Sequence, residues 1–423
     1  MKKILKNTVC TAVCAATIFC AVNASAKTVQ FTMNNSSAKV LQNEITNVEL
    51  LCAPYTKSDR TLIPVRFVSE NFGAKVDWDE DTKTVTINKD GKTVTLQINS
   101  TTAYDGETPV TLDTAPEQTN DVTMVPVRFV AETLGYTVNY SQMGEKVLVT
   151  DEKPLFEING KNIMPSELKA YSNIAIAQYN ATPNKEFADY IYNSFKGYCV
   201  LANSMDENIL AQNIKMINEN AEFIKGQILS VTEQAGADTL DGSVELVFEN
   251  LNYGSAYQNY LLDKIYDGIS DSEIDEAYKN GYICAKHILI TKTDENAAKK
   301  INEVSKKIKN KADFDKLIEE YGEDPGMQSN PDGYIFTKGE MVQEFEDAAF
   351  ALKEGEISGA VESSYGTHFI KREKLPALTD SVKENVKQNL TSGKTNIEIN
   401  KIIDGAADDN YTAEEIENLI MNK

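Results

Sequence analysis

Residues 60–87 read RTLIPVRFVSENFGAKVDWDEDTKTVTI, and residues 122–149 read VTMVPVRFVAETLGYTVNYSQMGEKVLV. Pro64 matches Pro126, Arg66 matches Arg128, Glu70 matches Glu132 and Gly73 matches Gly135, each pair 62 residues apart. A repeat this dense restricts the fold, because whatever the first copy forms the second must form again. Each copy predicts the same series of elements. PVRFV opens about two turns of helix ended by glycine, and two alternating strands follow across a turn. Between the copies, GKTVTLQINSTTAYDGETPVTL reads as a further hairpin. A small α+β domain over residues 28–151 is predicted.

One such domain does not account for 423 residues, so the chain is multidomain. The net charge of −22 argues against a nucleic-acid-binding protein, which needs a basic face. The N-terminus reads as an export signal over residues 1–26. MKKILK is a basic start, VCTAVCAATIFCAV is a short apolar run, and ASA precedes Lys27 as a small-residue cleavage site. The apolar run is too short to cross a hydrocarbon layer of roughly 30 Å. Phe19 is larger than a lipobox tolerates before Cys20, so cleavage after Ala26 is favoured over lipidation at Cys20. No later stretch predicts a membrane helix, and a secreted or cell-surface location follows. Beyond the signal remain Cys52, Cys199 and Cys284, an odd number without the spacing of a disulfide framework.

Residues 152–283 change character. After the short strand LFEING come helical patterns: MPSELKAYSNIAIAQYN, NKEFADYIYNSFKGYCVLANSMDENI, NAEFIKGQILSVTEQAG and SVELVFENLNYGSAYQNYLLDKIYDGI. In the last, Tyr253, Tyr257, Tyr260, Leu261 and Tyr266 form an aromatic stripe, either helix–helix core or a surface for unfolded chains. ISDSEIDEAYKNGY predicts a connecting helix capped by Ser or Asp. Residues 376–423 return to helical pattern, with helices that pack back on the 152–283 region or fray at their polar middle.

The only two histidines of the chain, His287 and His368, lie between these helical regions, in CAKHILITK and SSYGTHFIKRE. Both sit in strand-like runs. AKHILI predicts a first strand. ENAAKKINEVSKKIKN and ADFDKLIEEYG predict helices, EDPGMQSNPDGYIF a loop entering a strand, MVQEFEDAAFALKEG a helix and GAVESSYGTHFIKRE a closing hairpin. Cys284 lies three residues before His287. Along a strand that spacing puts the two on opposite faces, so a buried thiol is a better reading than a Cys/His nucleophile.

Two resemblances follow from these residues. LIPVRFVSENFGAKVDWD resembles the copper amine oxidase-like N-terminal domain, a stalk or surface module, over about 90 residues. The family name suggests copper, but copper(II) prefers imidazole and no histidine precedes residue 287, so no metal and no other cofactor is expected. The resemblance implies a spacing or attachment role. AKHILI, ADFDKLIEEYGEDPG, GYIFTKGEMVQEFEDAAFALKEGEIS and SSYGTHFIKRE resemble the parvulin-type peptidyl-prolyl cis-trans isomerase domain, an antiparallel sheet flanked by helices, over residues 284–375. With the helices before it, the layout resembles the secreted foldase and chaperone families PrsA and SurA.

The parvulin resemblance implies roles for individual residues. His287 and His368 match the paired catalytic histidines, and Asp324 matches the position near the isomerising bond held by Cys or Asp. Met341 and Phe345 match the apolar pocket for the proline ring, with Phe350 supporting that pocket or the core beneath it. Tyr365 stands where some members carry a small hydroxyl residue. The usual GGDLG turn appears as NPDGY, which changes the local path near Asp332 and Gly333.

The chemistry suits so small a set. Rotation about an Xaa-Pro bond is slow because amide resonance sets a barrier of roughly 18–20 kcal/mol. No bond breaks, so binding the twisted amide more tightly than either planar form is sufficient. Neutral imidazoles, each donating on one nitrogen and accepting on the other, can fix the required dipoles. The loop TKTDEN after the first strand lacks the basic cluster a phosphopeptide needs. The expectation is an exported foldase acting on unfolded polypeptides with Xaa-Pro bonds. A non-catalytic chaperone of parvulin fold and a cell-surface attachment protein, with envelope contact through residues 28–151, are the alternatives.

Overall fold

The structure is a computed structural model. It describes residues 26–421 apart from 43–44, 142–144, 180, 212, 214, 216, 218, 221–222, 224–241 and 407–409. The export-signal reading of residues 1–26 and most of the predicted helix over 220–236 lie outside the described residues. The fold is mixed, with antiparallel sheets and many helices. It divides into two compact units, one of residues 1–261 with 397–423 and one of residues 262–396.

In the first unit the sequence repeat is a structural repeat. The helices Val65–Asn71 and Val127–Thr133 begin directly after strands Arg60–Pro64 and Val122–Pro126. Those two strands pair with each other, Ile63 opposite Val125 and Leu62 opposite Pro126. The following hairpins, Lys75–Asp79 with Thr84–Lys89 and Thr137–Ser141 with Lys146–Thr150, each join a separate five-stranded sheet. Alternation along these strands sends Val76, Val85, Ile87, Val147 and Val149 inward. They meet Val65, Val68, Val127 and Val130 from the helices in one core.

The rest of this unit is helical, with a small hairpin of Phe156–Ile158 and Lys161–Ile163. Helices Pro165–Tyr179 and Lys185–Asn203 bury Leu168, Ile191, Phe195 and Cys199 against Val247, Ile416 and Ile420. The second helix stops at Asn203, short of the predicted Ile209. Of the tyrosine stripe, Tyr257 and Leu261 are buried against Leu201, so that part is core. Among the described residues no helix is long and apolar enough to cross a membrane.

The second unit is built on a four-stranded antiparallel sheet in the order Tyr334–Phe336, Ile283–Thr291, Gly366–Glu373, Val361–Glu362. Its two long strands pair over eight residues, from Cys284 opposite Glu373 to Thr291 opposite Gly366. Period-two alternation gives this sheet two faces. Ile288, Ile290 and Phe369 point to helices Ala297–Lys309 and Phe314–Tyr321, where Val304, Phe314, Leu317 and Tyr321 cover them. Ile283, Ala285 and Ile370 point to the other side, under helix Gln343–Ala351 with its Phe345 and Ala349. Asp313 caps the helix Phe314–Tyr321 by accepting from the Asp315 and Lys316 amides. Ser270 and Glu273 form a reciprocal capping box on the helix Asp271–Gly281.

The stretch expected as a loop after Tyr321 contains a single-turn helix, Pro325–Ser329. Asp324 caps it through the Gly326 amide, and Pro325 sits at its first position, where a missing N–H costs nothing. The turn with the unusual NPDGY sequence needs glycine at 333. Its φ is +105°, and a side chain there would press on the Cys284 sulfur and the Ala285 carbonyl.

Gly366, at the start of the last strand, has φ +155°, and a Cβ would lie 2.2 Å from the Ile290 carbonyl oxygen. Gly366→Ala is expected to cost on the order of 2 kcal/mol or more. Amide hydrogen exchange along Ile288–Thr291 in the full chain checks this. Exchange as slow as in the parent would show that the strands do not close on Gly366 as described.

Candidate active site

Register brings the two histidines together. His287 lies opposite Ile370 and His368 opposite Leu289, so the histidines are diagonal neighbours on one face of the sheet. That face is the Phe345 face. Both imidazoles are buried, at 6% and 4% exposure. Their rings stack at 5.2 Å with 11° between planes, and the two Nδ1 atoms are 3.0 Å apart.

A four-residue chain of hydrogen bonds runs through this contact. His287 Nε2 is 2.7 Å from Asp324 Oδ2, and His368 Nε2 is 2.7 Å from Ser363 Oγ. Asp324 is placed by its neighbour Glu323, whose amide donates to the Leu289 carbonyl and whose carboxylate accepts from Thr291. Lys300 holds the same carboxylate from the other side at 2.6 Å. Ser363 is placed by the tight turn into the last strand, where its amide donates to the Gly366 carbonyl and its hydroxyl accepts from the Tyr365 amide.

Ionisation gives this chain a direction. Burial alone would raise the Asp324 carboxyl. Hydrogen bonds from His287, from the Tyr334 hydroxyl and from the Gly326 amide outweigh burial and hold it below its ordinary value. An ionised carboxylate only accepts, so His287 Nε2 carries a proton. Burial depresses His287, against the opposing pull of Asp324, so its other nitrogen, Nδ1, is bare and accepts. His368 must then donate from Nδ1. Burial, followed by repulsion from a charged His287, pushes His368 down to about 4, which leaves its Nε2 bare to accept the Ser363 hydroxyl proton. Every donor points toward Asp324.

The apolar side of the site comes from the helix side of the same face. Phe345 is buried and stands edge-on to both imidazoles, 5.2 Å from His287 and 5.4 Å from His368. Met341 is half-buried and packs against the same apolar cluster. Phe350 is half-buried and packs edge-to-face on Phe336 at 6.0 Å, with Lys338 over its ring. The structure therefore brings His287, His368, Asp324 and Phe345 together, with Met341 packed on the same apolar cluster and Phe350 one ring further along it.

Two hydroxyl residues at this site escaped the sequence reading. Ser363, not Tyr365, carries the hydroxyl that meets His368, while the Tyr365 side chain is 64% exposed. The signal was the pair of serines before the Tyr-Gly turn, in reach of a histidine five residues on. Tyr334, whose hydroxyl donates to Asp324 at 2.7 Å, left no signal beyond being the residue after the altered turn. Cys284 is buried on the opposite face. Its sulfur meets the Asp332 carbonyl at 3.4 Å, and burial pushes the thiol up to about 11, far from a reactive thiolate.

Residues 40–149 match the Copper amine oxidase N-terminal domain family, and residues 273–374 match the PPIC-type PPIASE domain family. The first match brings no copper site with it. Its span holds no histidine, and among the described residues no cluster of three His, Cys, Asp or Glu could hold a metal. The chain is 33% identical over 217 residues to a foldase protein PrsA of Geobacillus kaustophilus, covering 48% of this chain and 74% of the relative. It is 30% identical over 211 residues to the foldase protein PrsA of Bacillus subtilis, covering 47% of this chain and 68% of that one. Among solved structures it is similar to a peptidylprolyl isomerase (PrsA) of Bacillus anthracis. Identity there is 25% and the TM-score 0.30, with 51% of this chain and 94% of the other covered.

Because both histidines bind protons less well folded than unfolded, their neutral packing stabilises the protein fully above about pH 6.5 and less as pH falls. Asp324, also depressed, acts in the same direction at lower pH. His368 alone corresponds to about 3 kcal/mol lost between pH 6.5 and 4. Imidazole nitrogen NMR is expected to show His287 charging below the ordinary histidine range and His368 charging near pH 4. A histidine titrating near 6.5 in the folded protein would contradict the buried arrangement.

Proposed function

The chain belongs to the PrsA foldase family, and from that premise we propose that His287 and His368 carry its prolyl isomerisation, with Asp324 as the anion that orders them. It is an exported peptidyl-prolyl isomerase foldase, and its substrates are unfolded polypeptides. The observation that carries the residue assignment is the hydrogen-bonded chain Ser363–His368–His287–Asp324, its two rings stacked against the edge of an apolar cluster.

Such a site suits a reaction that makes and breaks no bond. The proline ring enters the apolar ground of Met341 and Phe345, with Phe350 supporting it. This fixes one side of the amide while the other turns. The twisted amide loses its resonance, so its carbonyl becomes less polar and its nitrogen more basic than in either planar form. Dipoles already aimed, in a site with little water to reorient, stabilise that redistribution more than they stabilise the planar ends. Neutral histidines serve better here than charged ones, since a buried imidazolium would cost the site its own stability. Asp324 keeps the dipoles pointing one way.

The rest of the chain divides by the same reading. Residues 1–26 are an export signal cut after Ala26. Residues 28–151 form the copper amine oxidase-like module, which spaces or attaches the protein at the cell envelope. Residues 152–283 form the chaperone region, with residues 376–423 as helices packing on it, and 284–375 form the isomerase domain. Exposed Tyr190 and Ile397, at 67% and 69%, offer the helical part apolar contact for unfolded chains.

The full chain is expected to accelerate isomerisation of an Xaa-Pro peptide. His287→Ala and His368→Ala together should lower kcat/KM by about 10²-fold or more, and Ser363→Ala by less. A parent chain no faster than the uncatalysed reaction would sink the catalytic assignment. Aggregation suppression that survives the double substitution would then mark a chaperone only.

A further inference from the structure

We propose that Tyr334 is a positioning residue of the isomerase site, holding Asp324 in the one orientation that points the whole hydrogen-bond chain, and that Gly326 is glycine to leave room for it. This deepens the assignment of His287, His368 and Asp324 above and rests on it.

The Asp324 carboxylate is held at three points. Oδ2 accepts from His287 Nε2 and from the Tyr334 hydroxyl, each at 2.7 Å, and Oδ1 accepts from the Gly326 amide at 2.9 Å. Three donors favour the ionised form and leave no rotation of the carboxylate that keeps all of them. Tyr334 also reaches His287 directly, ring edge to ring face, at 5.9 Å and 70°. Its backbone is pinned in the sheet opposite Ala285, so the phenol approaches Asp324 from a fixed base.

Gly326 supplies the independent observation. Its backbone is not left-handed, so nothing in its conformation requires glycine. The requirement is space. A Cβ at 326 would stand 1.9 Å from the Tyr334 hydroxyl oxygen and 3.2 Å from the ring carbon that bears it. Any side chain at 326 pushes the hydroxyl off Asp324, while a phenyl ring without the hydroxyl leaves only a tight contact.

The consequence runs through the tautomers. Without the tyrosine donor the carboxylate takes up a proton more readily. Once protonated it can donate to His287 Nε2, and each imidazole downstream can then adopt the other tautomer. The titratable groups facing Asp324 are His287 and Tyr334, and those facing His368 are His287, Asp324 and Glu344. Glu323 is turned away, to Thr291 and Lys300.

The test uses the full chain, measuring peptide isomerisation from pH 4 to 8 and recording the histidine ring nitrogens by NMR. Tyr334→Phe is expected to move the acid limb of kcat/KM up by about one pH unit and to lose the fixed protonation at His287 Nε2. Gly326→Ala should do the same in the parent. The double variant Y334F/G326A should lose less than the sum of the two single losses, because the clash with the hydroxyl is then gone and only contacts of 3.2 Å with the ring carbon and with Asp324 Oδ1 remain. An unmoved acid limb with unchanged ring nitrogens in Y334F overturns the proposal, even if the melting temperature falls. So does a double variant in which the two losses add. If the parent shows no catalysis, the proposed catalytic roles fail separately, and the ring-nitrogen spectra of the same variants still decide the positioning role.

Discussion

The antiparallel pairing of Ile283–Thr291 with Gly366–Glu373 is the interaction on which the isomerase part depends. These strands are 81 residues apart at the two histidines, and nothing local holds His287 near His368. Register does it. With Ile370 opposite His287, the histidines fall on the same face, one diagonal step apart, and a slip of one residue would send one ring into the opposite core. Both faces of the sheet are buried and chemically different, one filled by Ile288, Ile290 and Phe369, the other by Ala285 and Ile370. The slip would therefore misplace a whole row of side chains, and the cost of doing so guards the site's geometry.

Burial then gives the site its character. Two imidazoles under a phenylalanine edge are pushed toward neutrality, and a carboxylate with three donors is pushed toward charge. The opposite shifts are what make the chain directional. In water the same four groups would sample every tautomer and orientation. Here the desolvation that penalises a charged imidazole is compensated by stability at neutral pH, and acidification attacks fold and site together.

Much of this was legible from residues alone. The repeat marked the helix at each PVRFV and the two strands after it, while the strands before the helices, and their pairing with each other, went unpredicted. The two histidines stood out because the chain has no others, and the three-residue step from Cys284 to His287 put the thiol on the opposite face. Ser363 and Tyr334 were not legible, for a physical reason. A hydroxyl finds its partner only once a turn has closed. The path of NPDGY, with Gly333 forced by Cys284 and Ala285, is set by a neighbour about fifty residues earlier in the chain. The single turn of helix at Pro325–Ser329 was hidden likewise, because five residues carry too little periodicity to be seen. The Asp-Pro pair was its one local mark.

The placement of the histidine-bearing strands has a consequence for how the site forms. They lie at the two ends of the isomerase segment, so the site closes only after that whole segment is available to pair. A chain that ends before residue 368 has one histidine and no partner strand for it. The site is therefore assembled by a pairing that spans the whole segment, and no piece of it lacking either strand holds both histidines.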